Sequence, residues 1–128
     1  MKDTIKTHLW DQNFELGIEI QQYSVGGGIA LFLHCIENGE AVEPFANLTV
    51  NLPSYHTGGT KAFVDTNNFP QALDLIEKNN LGHWTGELAQ SGFCAYPKVE
   101  FDMQEVGKYI LNQSMFDKIV SQKAGVER

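Results

Sequence analysis

The sequence predicts an α+β domain in which a twisted antiparallel sheet of five to seven strands carries two helical segments on one face. In the first half of the chain, apolar and polar residues alternate between turns rich in glycine and asparagine, as in half-buried antiparallel strands. In the second half, two segments show the apolar spacing of amphipathic helices. A chain of 128 residues, of which 42% are hydrophobic, suits a single domain (residues 1–128) that buries its core without disulfides.

The first half is predicted to form an antiparallel meander of four strands. The strand-like stretches are 4–11, 13–23, 29–37 and 45–53. Turn residues separate them, since Asp11-Gln12-Asn13 suits a tight turn and Gly26-Gly27-Gly28 can adopt positive φ angles. Asn38-Gly39 is the strongest turn signal in the chain, because this dipeptide favours two-residue hairpin loops.

The second half is predicted to contain a short strand, a helix, a strand pair and a helical tail. These elements are assigned to 62–65, 69–82, 84–101 and 102–123. Gly82 stands where a left-handed residue would end the first helix, and the strand pair turns around Ser91-Gly92. Asp102 is expected to cap the helical tail. The polar run 112–114 divides this tail into two shorter helices.

The polar stretch "FVDTNNFPQAL", residues 63–73, is interpreted as a junction between strand and helix. Pro70 suits the first helical turn, where a missing N–H is tolerated. Asn67 or Asn68 can accept hydrogen bonds from the free amides of that turn, and Asp65 ends the strand. The spacing matches neither a calcium loop nor a phosphate loop. The stretch therefore predicts a scaffold for chain reversal.

Negative charge is concentrated near the beginning of the chain. The formal net charge is −7, and no Lys or Arg occurs between Lys6 and Lys61. That interval contains the residues of a predicted acidic face: Asp11, Glu15, Glu19, Glu37, Glu40 and Glu43. Because nucleic-acid binding requires cations that neutralise phosphates, the sequence argues against direct DNA or RNA binding. An acidic face favours a partner protein with a basic surface, although charge for solubility alone is the competing interpretation.

A second hypothesis places a ligand or catalytic cleft in the middle of the chain. The residues of this alternative cleft are Asp65, Asn67, Asn68, His83 and Cys94. Cys94 could act as a nucleophile with His56 or His83 as its base, but a Cys between Phe93 and Ala95 also suits simple packing. The four His and two Cys show no metal-ligand spacing, so no metal and no cofactor are predicted.

The beginning of the sequence and its apolar runs predict a cytoplasmic protein with reduced thiols. "MKDTIKTHLWDQ" lacks the apolar core of a signal peptide. The longest apolar run, residues 29–33, is much shorter than a membrane span. No membrane association is therefore expected.

Several phrases resemble a family of small uncharacterised proteins, a domain of unknown function found in bacteria and their mobile elements. They are "NLTVNLPSY", "AFVDTNN", "NNLG", "TGELAQSGFCAYP" and "VEFD". The resemblance covers residues 47–102 as a family-like core and leaves the helical tail, 102–123, outside it. It brings no catalytic residues, and it implies an association with plasmids, integrative elements or phages.

These observations lead to three functional hypotheses. The first is a non-enzymatic accessory protein of a mobile genetic element, whose acidic face binds and inhibits a host protein such as a defence protein. The second is a small ligand-binding domain or hydrolase-like enzyme that uses the alternative cleft. The third is a stabilising subunit of a homodimer.

Overall fold

The computed structural model describes residues 3–24, 28–52, 55 and 59–125 and shows two antiparallel sheets with helices beside them. The first sheet contains β1 (Ile5–Leu9), β2 (Gln12–Gln22), β3 (Ile29–Glu37) and β4 (Glu40–Asn47), in the order β1-β2-β3-β4. The second contains β5 (Thr49–Val50), β6 (Lys61–Val64), β7 (Gly82–Ser91) and β8 (Cys94–Phe101), in the order β5-β6-β8-β7. The helices are α1 (Ala72–Lys78), α2 (Met103–Val106) and α3 (Gln113–Gly125), with a 3₁₀ turn at Gly107–Tyr109.

The α+β class and the antiparallel pairing are confirmed, but the strands of the described residues number eight and belong to two sheets. The predicted strand 45–53 is divided because the chain bends at Leu48, which is fully buried. The Leu48 N–H donates to the Leu31 carbonyl in β3 at 2.9 Å, and its own carbonyl accepts from the Asp65 N–H beyond β6 at 2.9 Å. Leu48 thus joins the two sheets through its backbone.

The first hairpin turns one residue earlier than the sequence predicts. Trp10 and Asp11 form a two-residue loop with φ angles of 51° and 60°, and Leu9 pairs with Gln12. Asn38-Gly39 is confirmed as the β3–β4 turn, with φ angles of 53° and 81°. Both loops have the positive φ angles that two-residue hairpins require. The predicted turn at Gly26-Gly27 lies outside the described residues.

One core occupies the space between the sheets and the helices. The alternation in β2 is confirmed, because Leu16, Ile18 and Ile20 are each fully buried while Glu15 and Glu19 point to the opposite face. Further members of this core come from both sheets and all three helices or their flanking turns: Leu31, Leu33, Val64, Phe69, Ile76, Val99, Phe101, Val106, Ile110 and Ile119.

Helix α1 ends on an asparagine rather than on the predicted Gly82. Asn80 has a φ angle of 58°, its N–H donates to the Glu77 carbonyl, and the Leu81 N–H donates to the Ile76 carbonyl. This pair of bonds is a Schellman motif, in which asparagine can replace glycine. Gly82 instead begins β7, where an added Cβ would lie 2.5 Å from the Glu100 carbonyl oxygen.

The C-terminal segment closes the free edge of β2. Asp102 caps α2 as predicted, since its carboxylate accepts from the N–H groups of Gln104 and Glu105. Beyond the 3₁₀ turn, the Leu111 N–H donates to the Ile18 carbonyl at 2.8 Å. The Asn112 side chain accepts from the Ile20 N–H at 3.0 Å and donates to the Ile20 carbonyl at 2.7 Å. The predicted interruption of the tail is therefore a docking point on the sheet.

Replacing Asn112 by Ala should lower the free energy of unfolding by about 1–3 kcal/mol, because both backbone groups of Ile20 lose their partner. Urea unfolding followed by circular dichroism measures this change. Asn67→Ala is the matched control, since Asn67 is exposed in a surface turn. Equal losses in the two variants would contradict the docking role.

Candidate functional site

A cleft opens where the two hairpins of the first sheet separate. Because β2 and β3 are antiparallel, the β1–β2 and β3–β4 turns lie at the same end of the sheet. The β2–β3 ladder begins only at Leu16 and Cys35, so residues 12–15 pair with β1 alone and residues 36–37 with β4 alone. The space between the hairpins has a volume of about 670 Å³. Its lining residues include Lys6, His8, Phe14, Glu15, Cys35, Ile36, Glu37 and Glu43.

The structure brings five of the six predicted acidic residues to this end of the molecule. Glu15, Glu37 and Glu43 line the cleft. Asp11 lies in the β1–β2 turn, and Glu40 begins β4 directly after the second turn. The sixth, Glu19, lies farther along β2 and has its own partners. The grouping follows from hairpin geometry, which the sequence alone could not show.

The carboxylates in the cleft have few cationic neighbours. The ion pairs within the described part of the chain involve the acidic residues Glu19, Asp74, Glu87 and Glu105, and thus none of the three that line the cleft. Glu15 accepts a hydrogen bond from the Thr4 hydroxyl at 2.8 Å, and Lys6 lies opposite it across the β1–β2 pair.

Glu37 and Glu40 are direct cross-strand partners in the β3–β4 hairpin. Like charges in this position destabilise a hairpin. The negative charge at this end therefore works against folding.

The thiol in the cleft is kept protonated by its surroundings. Burial raises the pKa of Cys35, and the negative charges of Glu43 and Glu37 raise it further. A thiol is a weak nucleophile until it loses its proton. The cleft is therefore a poor environment for cysteine chemistry and offers Cys35 as a small apolar surface instead.

An exposed tryptophan stands beside the cleft, and sequence reasoning missed it. Trp10 occupies the β1–β2 turn and is 61% exposed, although bulky residues rarely adopt positive φ. Its ring lies over Phe14, Phe45 and Phe69, with centroid distances of 6.2, 5.8 and 6.4 Å. These contacts hold the exposed ring of Trp10 at the same end of the sheet as the acidic residues. The sequence does not indicate this aromatic cluster, because a turn at Asp11–Asn13 leaves Trp10 in the preceding strand.

Glu19 forms a separate polar cluster on the outer face of the first sheet. Its carboxylate accepts from Gln21 Nε2 at 2.9 Å and lies 2.9 Å from His34 Nε2. The hydrogen bond from Gln21, followed by that from His34, lowers the pKa of Glu19. These local partners make Glu19 less available to an outside ligand than the other acids.

The alternative cleft is not assembled as a catalytic pair. His83 is exposed at the start of β7 and pairs with Glu100, whereas Cys94 begins β8 at the other end of the same hairpin. Glu100 lies six positions after Cys94 on the same strand, a span of about 20 Å. His56 lies outside the described residues.

Asp65 has the structural role that the sequence predicted, in a different form. It is only 5% exposed, and its carboxylate accepts from the N–H and the side-chain amide of Asn68 at 3.3 and 3.0 Å. Neither Asn67 nor Asn68 caps α1, because the helix begins later, with Gln71 at its N-cap and no side-chain hydrogen bond there. The carboxylate of Asp65 fixes the turn in place of an asparagine cap.

A metal site and a membrane-spanning helix are two further possibilities for the described residues. No group of three His, Cys, Asp or Glu side chains in this part of the chain is placed to hold a metal ion. None of the helices found there combines the length and the apolar character that crossing a membrane requires.

Comparison with known proteins places the chain in a family. A family model described as a domain of unknown function, DUF4313, matches residues 17–123. The chain belongs to the DUF4313 family. The match includes the core 47–102 on which the resemblance rested, and it extends over most of β2, β3, β4 and the helical tail. No match is found among curated proteins or among solved structures.

The lowered pKa of Glu19 gives a pH-dependent contribution to stability. Because the pKa in the folded protein lies below the ordinary value of 4.5, the contribution is fully present above about pH 4.5 and is lost as the pH falls through the folded pKa. The difference in unfolding free energy between the wild type and Glu19→Gln should therefore shrink below pH 4.5. Urea titrations at several pH values measure it. Glu43→Gln serves as the exposed control, and a difference that grows at low pH would contradict the assignment.

Proposed function

We propose that this DUF4313 protein is a non-enzymatic interaction module whose acidic end binds a basic surface of another protein. The binding region, here called the acidic end, consists of Asp11, Glu15, Glu37, Glu40 and Glu43 around the cleft between the two hairpins. The observation that carries the proposal is the convergence of these carboxylates at one end of the first sheet, three of them lining a single cleft.

The electrostatics of the acidic end support binding rather than folding. Glu37, Glu40 and Glu43 take part in none of the ion pairs of the described residues, and Glu37 faces Glu40 across the hairpin. Charges that destabilise their own hairpin are stabilised when a cationic partner approaches. A field of one sign also accelerates association with an oppositely charged surface.

The cleft has the chemistry to receive lysine or arginine side chains. Phe14, Cys35 and Ile36 provide apolar surface within it, and Glu15, Glu37 and Glu43 provide acceptors. Long basic side chains place their methylene stems on apolar surface while the charged group meets carboxylates. The exposed ring of Trp10 offers a neighbouring anchor, since aromatic residues are enriched among the side chains that dominate binding energy.

The proposal extends to where the protein acts and on what kind of target. We place the protein in the cytoplasm, as an accessory protein of a plasmid, an integrative element or a phage, acting on a host protein such as a defence protein. Basic surfaces that grip nucleic acid are one class of target that such an acidic end could occupy. The family resemblance and the shortage of cations between Lys6 and Lys61 support this context, and the same shortage argues against a direct nucleic-acid ligand.

Neutralising the cleft should weaken binding about tenfold or more at low salt, because three carboxylates lose their attraction to the partner. The variant combines Glu15→Gln, Glu37→Gln and Glu43→Gln. Pull-down from bacterial lysate with mass spectrometry identifies bound proteins, and titration of each purified protein across a salt series measures the affinity.

The control for this experiment has the same net charge. It combines three exposed acids that lie on α1 and α3: Asp74→Asn, Glu77→Gln and Asp117→Asn. It should bind like the wild type. Equal weakening in the two triple variants, or an affinity that does not change with salt, would contradict binding at the acidic end.

Replacing Trp10 by Asn should reduce partner affinity while leaving stability nearly unchanged. Asn tolerates the positive φ of the turn, which relieves a backbone cost of about 1–2 kcal/mol and offsets the packing lost with a ring that is 61% exposed. Thermal unfolding measures stability, and titration measures the affinity. Unaltered affinity in a stable variant would remove Trp10 from the binding region.

A further inference from the structure

The four outer strands of the two sheets differ in how well their edges are protected. An unpaired strand edge can bind another strand, and proteins block it with short strands, lysines, prolines or bulges. Strand β1 has five residues and includes Lys6, and β5 has two residues. Strand β4 carries Pro44, and its pairing with β3 has two irregularities.

Strand β7 is the least protected of these edges. It has ten residues and contains neither lysine nor proline. One irregularity lies between Trp84 and Leu88 and includes Gly86, which has a φ angle of 93°. After it, residues 88–91 pair regularly with 94–97. The Tyr55 hydroxyl donates to the Gln90 carbonyl at 3.0 Å, and the Trp84 N–H donates to the Glu77 carboxylate at 3.3 Å. These two backbone groups of β7 therefore already have internal partners.

Large apolar side chains are exposed along the same strand and its turn. Trp84 is 43% exposed, Leu88 is 59% exposed and Phe93 is fully exposed. Trp84 and Leu88 share one face of the sheet, because their cross-strand partners Val99 and Pro97 are two residues apart on β8. Phe93 follows Gly92, whose φ angle of 64° makes the tight turn.

The charge distribution indicates what covers this surface. Residues 88–97, "LAQSGFCAYP", contain no charged side chain in a chain whose net charge is −7. Glu87, which lies between Trp84 and Leu88 on β7, forms an ion pair with Lys98 at 3.8 Å. A second copy is repelled less at this neutral strip than at the acidic end. A twofold axis would place the same apolar residues against themselves, as a self-complementary interface requires.

We infer that the protein forms a weak homodimer in which the β7 edges of two copies lie antiparallel and Trp84, Leu88 and Phe93 are buried between them. The exposed area of these three side chains is on the order of 400 Å² per protomer, about half of what a standard interface buries on each side. The dimer is therefore concentration-dependent. It leaves the acidic ends free, so this inference is independent of the proposed function.

Sedimentation velocity over a range of about 1–500 µM, which suits a small interface, tests the dimer. The average mass should rise with concentration from 14.3 kDa toward twice that value. Leu88→Lys and Phe93→Ser should each shift the dissociation constant upward by about tenfold or more, the loss of one apolar contact at a twofold interface. Phe93 is fully exposed in a turn, so its replacement should leave the fold intact, and circular dichroism checks this.

The matched control is Val42→Lys, an equally drastic change at a residue on β4 that is 51% exposed. It should dimerise like the wild type.

Added salt should preserve or strengthen the dimer by screening the net charge, whereas it weakens binding at the acidic end. In a Trp10→Phe background, the fluorescence of Trp84 should shift to shorter wavelength as the concentration rises.

Three results would overturn the inference. One is a monomer at every concentration, which would leave β7 to a different partner or to solvent. Another is a dimer that persists unchanged in both Leu88→Lys and Phe93→Ser. The third is equal weakening by Val42→Lys. None of these results affects the binding of a basic partner by the acidic end.

Discussion

The structure depends on how the backbone of β2 finds partners along both of its edges. Strand β2 has eleven residues, but β1 pairs only with residues 12–16. Buried backbone groups beyond that point need other partners, because leaving them unpaired is expensive. Leu111 and Asn112 provide those partners at Ile18 and Ile20. This contact fixes the C-terminal helices to the core, and it also fixes the buried residues that these helices contribute.

The glycine in the middle of β2 belongs to the same constraint. A Cβ added at Gly17 would lie 2.8 Å from Leu111 Cδ2 and 3.2 Å from Ile36 Cδ1. A side chain there would push the tail away from the strand or disturb β3 at the base of the acidic cleft. The close approach of Leu111 and Ile36 therefore requires glycine at position 17.

Sequence reasoning succeeded where a local pattern determines the structure and failed where distant residues decide it. The alternation of β2, the Asn38-Gly39 turn and the Asp102 cap are local, and all three are confirmed. Trp10 was missed as a turn residue because its positive φ depends on aromatic contacts with Phe45 and Phe69, far along the chain. The convergence of the acids at one end required the register of β2 against β3, and no single strand encodes that register.

The family match covers the contacts on which the fold of β2 depends. Residues 17–123 include Gly17, its close neighbour Leu111 and the contacts of Asn112 with β2, so the constraint on β2 lies wholly within the matched region. The β1–β2 turn with Trp10 lies outside it. The cleft residues Cys35, Ile36, Glu37 and Glu43 lie inside the matched region. The cleft residues Lys6, His8, Phe14 and Glu15 lie before it. β1 nevertheless contributes the buried Ile5 to the common core, and Leu9 and Phe14 pack against that core. Both walls of the cleft are therefore held in place by the same packing.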